Sequence, residues 1–215
     1  MTDTAAPGFE VIGVRPEPYC VSPTLVAQTR ITMPDDTGAR AIALRAQVRI
    51  EPARRDYGDA EADGLVDIFG SRDRWADTQR TFLWMHASTM VPGFRGHRDV
   101  DLPLPCTYDF EVTASRYLHA LRGGTVPVVF LFSGTVFAEG PTGFSVQQIP
   151  WDRESRYDLP VAVWRDLMAT SFPGAGWLRL REDTLAALSD YKSAHGLLGY
   201  DDAVSALLHG AEVTR

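Results

Sequence analysis

The sequence predicts an α+β protein: a mostly antiparallel β-sheet or sandwich with C-terminal helices packed on it. Three observations carry this. The most apolar stretch, Thr125 to Asp152, is built of β-branched and aromatic residues that suit a buried pleated surface. Period-two alternation recurs through residues 1–150, whereas helical spacing takes over in 151–215. Strands first and helices last is the α+β order. No internal repeat or low-complexity linker divides the 215 residues, so one domain is expected.

The elements follow in order. Phe9 to Val14 reads as a first strand, ended by Pro16-Glu17-Pro18. In Thr24 to Met33 one face carries Leu25, Ala27, Thr29 and Ile31. Pro34-Asp35-Asp36-Thr37-Gly38 is a turn signal. Ala41 to Glu51 sets Ile42, Leu44, Ala46, Val48 and Ile50 against Arg45, Gln47 and Arg49. Thr24 to Glu51 is therefore expected to be a hairpin with one wet face.

Pro52 to Trp75 is charged, with a short helix expected near Ala60 to Phe69. Its run of Arg54, Arg55, Asp56, Asp59, Glu61 and Asp63 reads as a solvated connection. Thr81 to Val91 returns to strand, with Phe82, Trp84, His86, Ser88 and Met90 on one face and Pro92-Gly93 as its end. Residues 93–105 are expected as a loop or weak edge strand, Thr107 to Thr113 as a strand, and Ala114 to Leu121 as a short helix.

Val126 to Phe137 is expected as the central arm of a hairpin. Gly134 suggests a bulge or bend, and Glu139 to Gly143 a turn. Phe144 to Ile149 is the half-exposed return arm. Pro160 suits the first turn of a helix with an apolar stripe of Val161, Trp164, Leu167 and Met168. Trp177 to Leu180 reads as a short strand or extended link. Glu182 to His195 is an amphipathic helix capped by Gly196, and Asp201 starts a last helix.

Composition excludes several classes. The net charge of −7 and pI near 5.2 argue against general nucleic-acid binding. The longest apolar run, Val126 to Phe132, is too short to span a bilayer. The N-terminus has neither a basic start nor an apolar core, so no signal peptide is expected and a cytoplasmic location fits. Two cysteines, Cys20 and Cys106, read as buried free thiols. The five histidines have no metal-ligand spacing, and no phosphate loop follows Gly123-Gly124, so neither metal nor cofactor is expected.

The densest polar cluster is Trp151-Asp152-Arg153-Glu154-Ser155-Arg156, between an apolar strand and a helix. Asp152 and Glu154 flank Arg153, as an acid/base pair or as an ion-pair network tethering strand to helix. Trp151 and Trp164 are candidate interface anchors. His86, in the strand beside Trp84, reads as a core or interface histidine. Trp151, Asp152, Arg153, Glu154, Arg156, Trp164 and His86 are therefore the candidate binding residues, and no catalytic residue is assigned.

Several segments together resemble a known family: Met90 to Phe94, Leu102 to Val112, Phe130 to Phe137, Ile149 to Asp152 and Leu159 to Arg165. The chain is similar over nearly its whole length to a mostly actinobacterial domain-of-unknown-function family, often encoded near high-affinity nickel–iron hydrogenases. That family has no established activity, so the resemblance implies no catalytic residues. It implies an accessory or maturation role by association. The expected function is thus a non-enzymatic accessory protein that binds a protein partner, a hydrogenase subunit or maturation factor being the implied one. The alternative is an enzyme with its site near Asp152, Glu154 and Arg156.

Overall fold

The computed structural model describes residues 6–34, 38–106, 113–138, 143, 145–174 and 180–213. The chain divides into two compact units, residues 1–175 and 176–215. The first holds the strands β1 (Gly8–Pro16), β2 (Thr24–Thr32), β3 (Gly38–Ile50), β4 (Phe82–Arg95), β5 (His97–Pro105), β6 (Thr125–Ala138), β7 (Ser145–Gln148) and β8 (Glu154–Pro160). They form two antiparallel sheets. One has the order β1-β2-β5; the other runs β4-β3-β6-β7, with β8 also on β6.

β6 is the central strand, as its composition requires. It pairs with β3 along one side, and with β8 and then β7 along the other. Val126, Val128, Phe130, Phe132 and Val136 are buried. Gly134, at φ +133°, stands between the β8-paired and β7-paired halves of β6, and its carbonyl accepts from the Ile149 N–H at 2.9 Å. A Cβ at this position would lie 2.0 Å from the Ala43 carbonyl oxygen, so only glycine fits the bend.

The inner faces of both sheets share one core, as in a sandwich. β3 follows its alternation: Ile42, Leu44, Ala46, Val48 and Ile50 are buried, while Arg45 and Gln47 are exposed. The sheets meet at two seams. At one, β4 turns into β5 at Gly96 (φ +68°), whose carbonyl accepts from the Met33 N–H. At the other, β1 lies beside β8, and the Val11 N–H donates to Ser155 Oγ at 2.9 Å. A register shift between Val11 and Gly13 marks that place in β1.

The helices of this unit are α1 (Asp59–Asp63), α2 (Val66–Phe69), α3 (Trp75–Thr78), α4 (Thr113–Ala120) and α5 (Val161–Ser171). They are connected at the end where β3, β5 and β8 finish and β4 and β6 begin. Tyr117 and Leu118 of α4 and Val161, Trp164 and Leu167 of α5 enter the core there. The second unit is α6 (Glu182–Ala194) packed against α7 (Tyr200–Val213). Gly196, at φ +66°, closes α6: Leu197 N–H reaches the Lys192 carbonyl and Gly196 N–H that of Ser193, a Schellman end.

Four expectations are corrected. β2 and β3 are not a hairpin; they lie in different sheets, because a turn signal cannot tell a hairpin from a crossover. Pro92-Gly93 does not end β4, which runs to Arg95. A Cβ at Gly93 would stand 2.7 Å from the Arg40 carbonyl oxygen, where the pairing of β3 with β6 shifts register between Ala39 and Ala41. Residues 97–105 form the full edge strand β5, since proline is tolerated where its nitrogen faces away from the ladder. The segment after Asp152, expected only as a polar stretch between strand and helix, is itself strand β8. The strand expected from Thr107, the turn over 139–142 and the link over 177–179 lie outside the described residues, apart from Thr113, which is helical.

Candidate functional site

The Trp151–Arg156 cluster sits where β7 passes into β8. Trp151 is 91% exposed, and Asp152 and Glu154 are exposed beside it. The Arg156 guanidinium donates to Glu154 and, at 3.2 Å, to Glu51 Oε2. Arg54 Nη1 reaches the same Glu51 oxygen at 2.8 Å. The network ties β8 to the end of β3, so the tether is between two strands rather than strand and helix. Asp152 stands apart, 3.9 Å from Arg153 Nε, which is buried and has no hydrogen-bond partner among the described residues. These carboxylates therefore meet arginines instead of converging on each other.

The other two candidates lie elsewhere. Trp164 is buried in the core at 6% exposure, edge-on to His119 at 4.7 Å. Burial lowers the pKa of His119. His86 is exposed, not in the core face. Arg49 pairs with Leu83 and Val48 with Met85, so Trp84 is a bulge that moves every later residue of β4 to the other face. Met85, Ala87, Thr89 and Val91 turn inward, and His86, Ser88 and Met90 turn out.

In the charged run 54–63, Arg54, Asp56, Asp59 and Asp63 are exposed, whereas Arg55 and Glu61 are not solvated. The Arg55 and Glu61 side chains are only 10% and 8% exposed and meet at 2.8 Å. Glu61 accepts from the Arg122 N–H at 2.6 Å, and Arg55 donates to the carbonyls of Gly123 and Thr125. Burial pushes the Glu61 pKa up, but the Arg122 hydrogen bond and the Arg55 charge outweigh it and hold the carboxyl below its ordinary value. The Tyr57 hydroxyl bonds that of Tyr117 at 2.7 Å, and burial raises both phenols, Tyr117 to about 12. Each buried polar group here satisfies another, so the cluster is a staple between this segment and the start of β6. Its sequence signal was the Gly58-Asp59-Ala60-Glu61 helix start, where Glu61 reaches back to the Gly58 N–H.

Cys106 is free and largely enclosed, and burial pushes its thiol up to about 12. It lines a cavity of about 20 Å³ with Trp84, Met85, Trp164 and Met168. Such a thiol stays protonated and is a poor nucleophile. Cys20, expected to be buried, is exposed.

The more open feature lies between β4 and β5. An open cleft of about 440 Å³ is lined by residues 89–92 of β4, 98–101 of β5 and Gln28 of β2. Each strand is the edge of its sheet on this side. Prolines limit the free backbone. Pro103 and Pro105 blunt the lower part of β5, and Pro92 the upper part of β4. By register parity with these prolines, the outward N–H groups of the window are those of Ser88 and Met90 on β4 and Asp99 and Asp101 on β5. Asp99 and Asp101 are committed through their side chains to Arg30 and Arg15. No group of three or more metal-ligating side chains occurs among the described residues.

The model of the family of unknown function DUF6084 matches residues 4–215. The chain belongs to the DUF6084 family. This DUF6084 chain is also 24% identical over 223 residues to the thermostable DNA polymerase I of Thermus thermophilus, a match covering 93% of the chain and 26% of the polymerase. It thus spans about a quarter of that protein's length. No solved structure matches. No helix among the described residues of the DUF6084 chain is long and apolar enough to cross a membrane.

Proposed function

We propose that this DUF6084 chain is a non-enzymatic, cytoplasmic accessory protein that binds a partner protein, taking an extended segment along the edges of β4 and β5. The supporting observation is the cleft flanked by two strand edges with a proline-bounded window of free backbone donors. Main-chain pairing at a sheet edge supplies affinity without any catalytic group. The enzyme reading near Asp152, Glu154 and Arg156 has less support, because those exposed side chains are engaged in ion pairs. A nucleic-acid role like that of the similar polymerase has less support too, since the chain carries a net charge of −7.

On the strength of the family resemblance, nickel–iron hydrogenase subunits and maturation factors are the first partners to test. Purified candidates are titrated onto the whole chain and onto Ser88→Pro, which removes an outward N–H while leaving the β3 ladder intact. The reading expects a complex with at least one candidate that Ser88→Pro weakens tenfold or more. Binding to none of them rejects the hydrogenase link; binding that Ser88→Pro leaves unchanged rejects the strand-edge mode.

A further inference from the structure

The outer face of the β4-β3-β6 sheet has a chemistry that the cleft does not use. On β3, Arg45, Gln47 and Arg49 point outward at two-residue spacing, beside the exposed His86 across the ladder from Gln47. Among the described residues, neither Arg45 nor Arg49 has a carboxylate or hydrogen-bond partner, and the Arg49 Nε is buried without one. Arg15 and Arg30 in the other sheet, and Arg156 on β8, are by contrast matched to carboxylates. Leu83 and Met90, 42% and 63% exposed, lie on the same face. A protein with a net charge of −7 thus gathers unmatched positive charge and exposed apolar side chains on one sheet face.

We propose that this face docks an acidic segment of a partner protein, an extended one that sets both Asp or Glu and apolar residues on the side facing the sheet. Arg45 and Arg49 lie four residues apart, about 13 Å along the strand, which matches carboxylates four residues apart in an extended segment. Each guanidinium can hold a carboxylate through two parallel hydrogen bonds, while Leu83 and Met90 meet the apolar residues. Nucleic acid is the other polyanion that an arginine pair could attract, but the overall negative charge opposes a long phosphate backbone. The proposal rests on the partner-binding reading, and it concerns the outer sheet face, which adjoins the β4–β5 cleft at Met90.

The test is selection of a random twelve-residue peptide display library on the whole chain, followed by titration of the selected peptides. The expected result is enrichment of Asp/Glu-apolar sequences whose binding weakens tenfold or more in Arg45→Glu/Arg49→Glu and as salt is raised. Arg45→Lys/Arg49→Lys should retain most of it. Arg45→Glu alone, at an exposed position, gives the same direction if the double variant is destabilised. Enrichment without acidic residues, or acidic peptides that bind the charge-reversed variants equally, overturns the proposal. A labelled single-stranded oligonucleotide that displaces the peptides and binds more tightly overturns it in favour of nucleic acid.

Discussion

Arg55 and Glu61 form a buried ion pair at 2.8 Å that fastens the 52–64 segment to the turn leading into the central strand. The pair is closed on itself: Glu61 also takes the Arg122 N–H, and Arg55 the Gly123 and Thr125 carbonyls. Removing one partner strands a desolvated charge, which typically costs about 3–5 kcal/mol. Glu61→Ala and Arg55→Met should each lower the unfolding free energy measured in urea by that order. The double variant Arg55→Met/Glu61→Leu should lose less than the sum of its singles, because no lone charge remains. It should not recover fully, because the Arg122 N–H loses its acceptor. Additive losses would show that the two side chains do not interact.

The same carboxylate sets an acid limit. Its folded pKa lies below the unfolded value of about 4.3. The unfolded chain therefore binds the proton more readily, and the stabilisation is fully present above that value. It is lost as pH falls through the folded pKa. The stability difference between the native chain and Glu61→Gln should be constant near neutrality and shrink below about pH 4. A difference that grows on acidification would reverse the assignment.

Cys106 and Cys20 should separate cleanly in alkylation. With its thiol near 12 and its surface enclosed, Cys106 should resist iodoacetamide at neutral pH while the exposed Cys20 reacts. Mass spectrometry should find one adduct on the folded chain and two in denaturant. Rapid labelling of Cys106 in the folded chain would contradict its burial.

Gly134→Ala should be severely destabilising. Both the φ of +133° and the 2.0 Å approach to the Ala43 carbonyl oxygen oppose a side chain, and a loss of about 3 kcal/mol or more is expected. Gly123→Ala, with nothing within 4 Å of the added carbon, is the control and should stay near neutral. Equal effects would show that β6 does not make this bend.

Much of the fold was legible because alternation is a local property. β3, β6 and the half-exposed β7 are where their side chains place them. What failed was non-local. Nothing in Thr24 to Glu51 says that its two strands join different sheets. The bulge at Trp84 is set by the partner register and moved His86 to the surface. Ser155, Tyr157 and Leu159 do alternate, but Glu154, Arg156 and Asp158 between them made β8 resemble a charged loop. Arg55 and Glu61 looked solvated because their burial depends on a turn more than sixty residues away. Pro103 and Pro105 hid the alternation of Val100, Leu102 and Leu104 in β5, and with it the cleft.

The partner-binding proposal requires a window of β4 and β5 backbone that is free of pairing within the chain. Residue-resolved amide hydrogen exchange on the uncomplexed chain tests it most directly. Ser88 and Met90 should exchange quickly, while Thr89 and Val91, bonded into the β3 ladder, exchange slowly. Asp99 and Asp101 should likewise exchange faster than Val100 and Leu102. Uniform protection through 88–91 and 99–102 would mean that the edges are already covered, and would contradict the proposal.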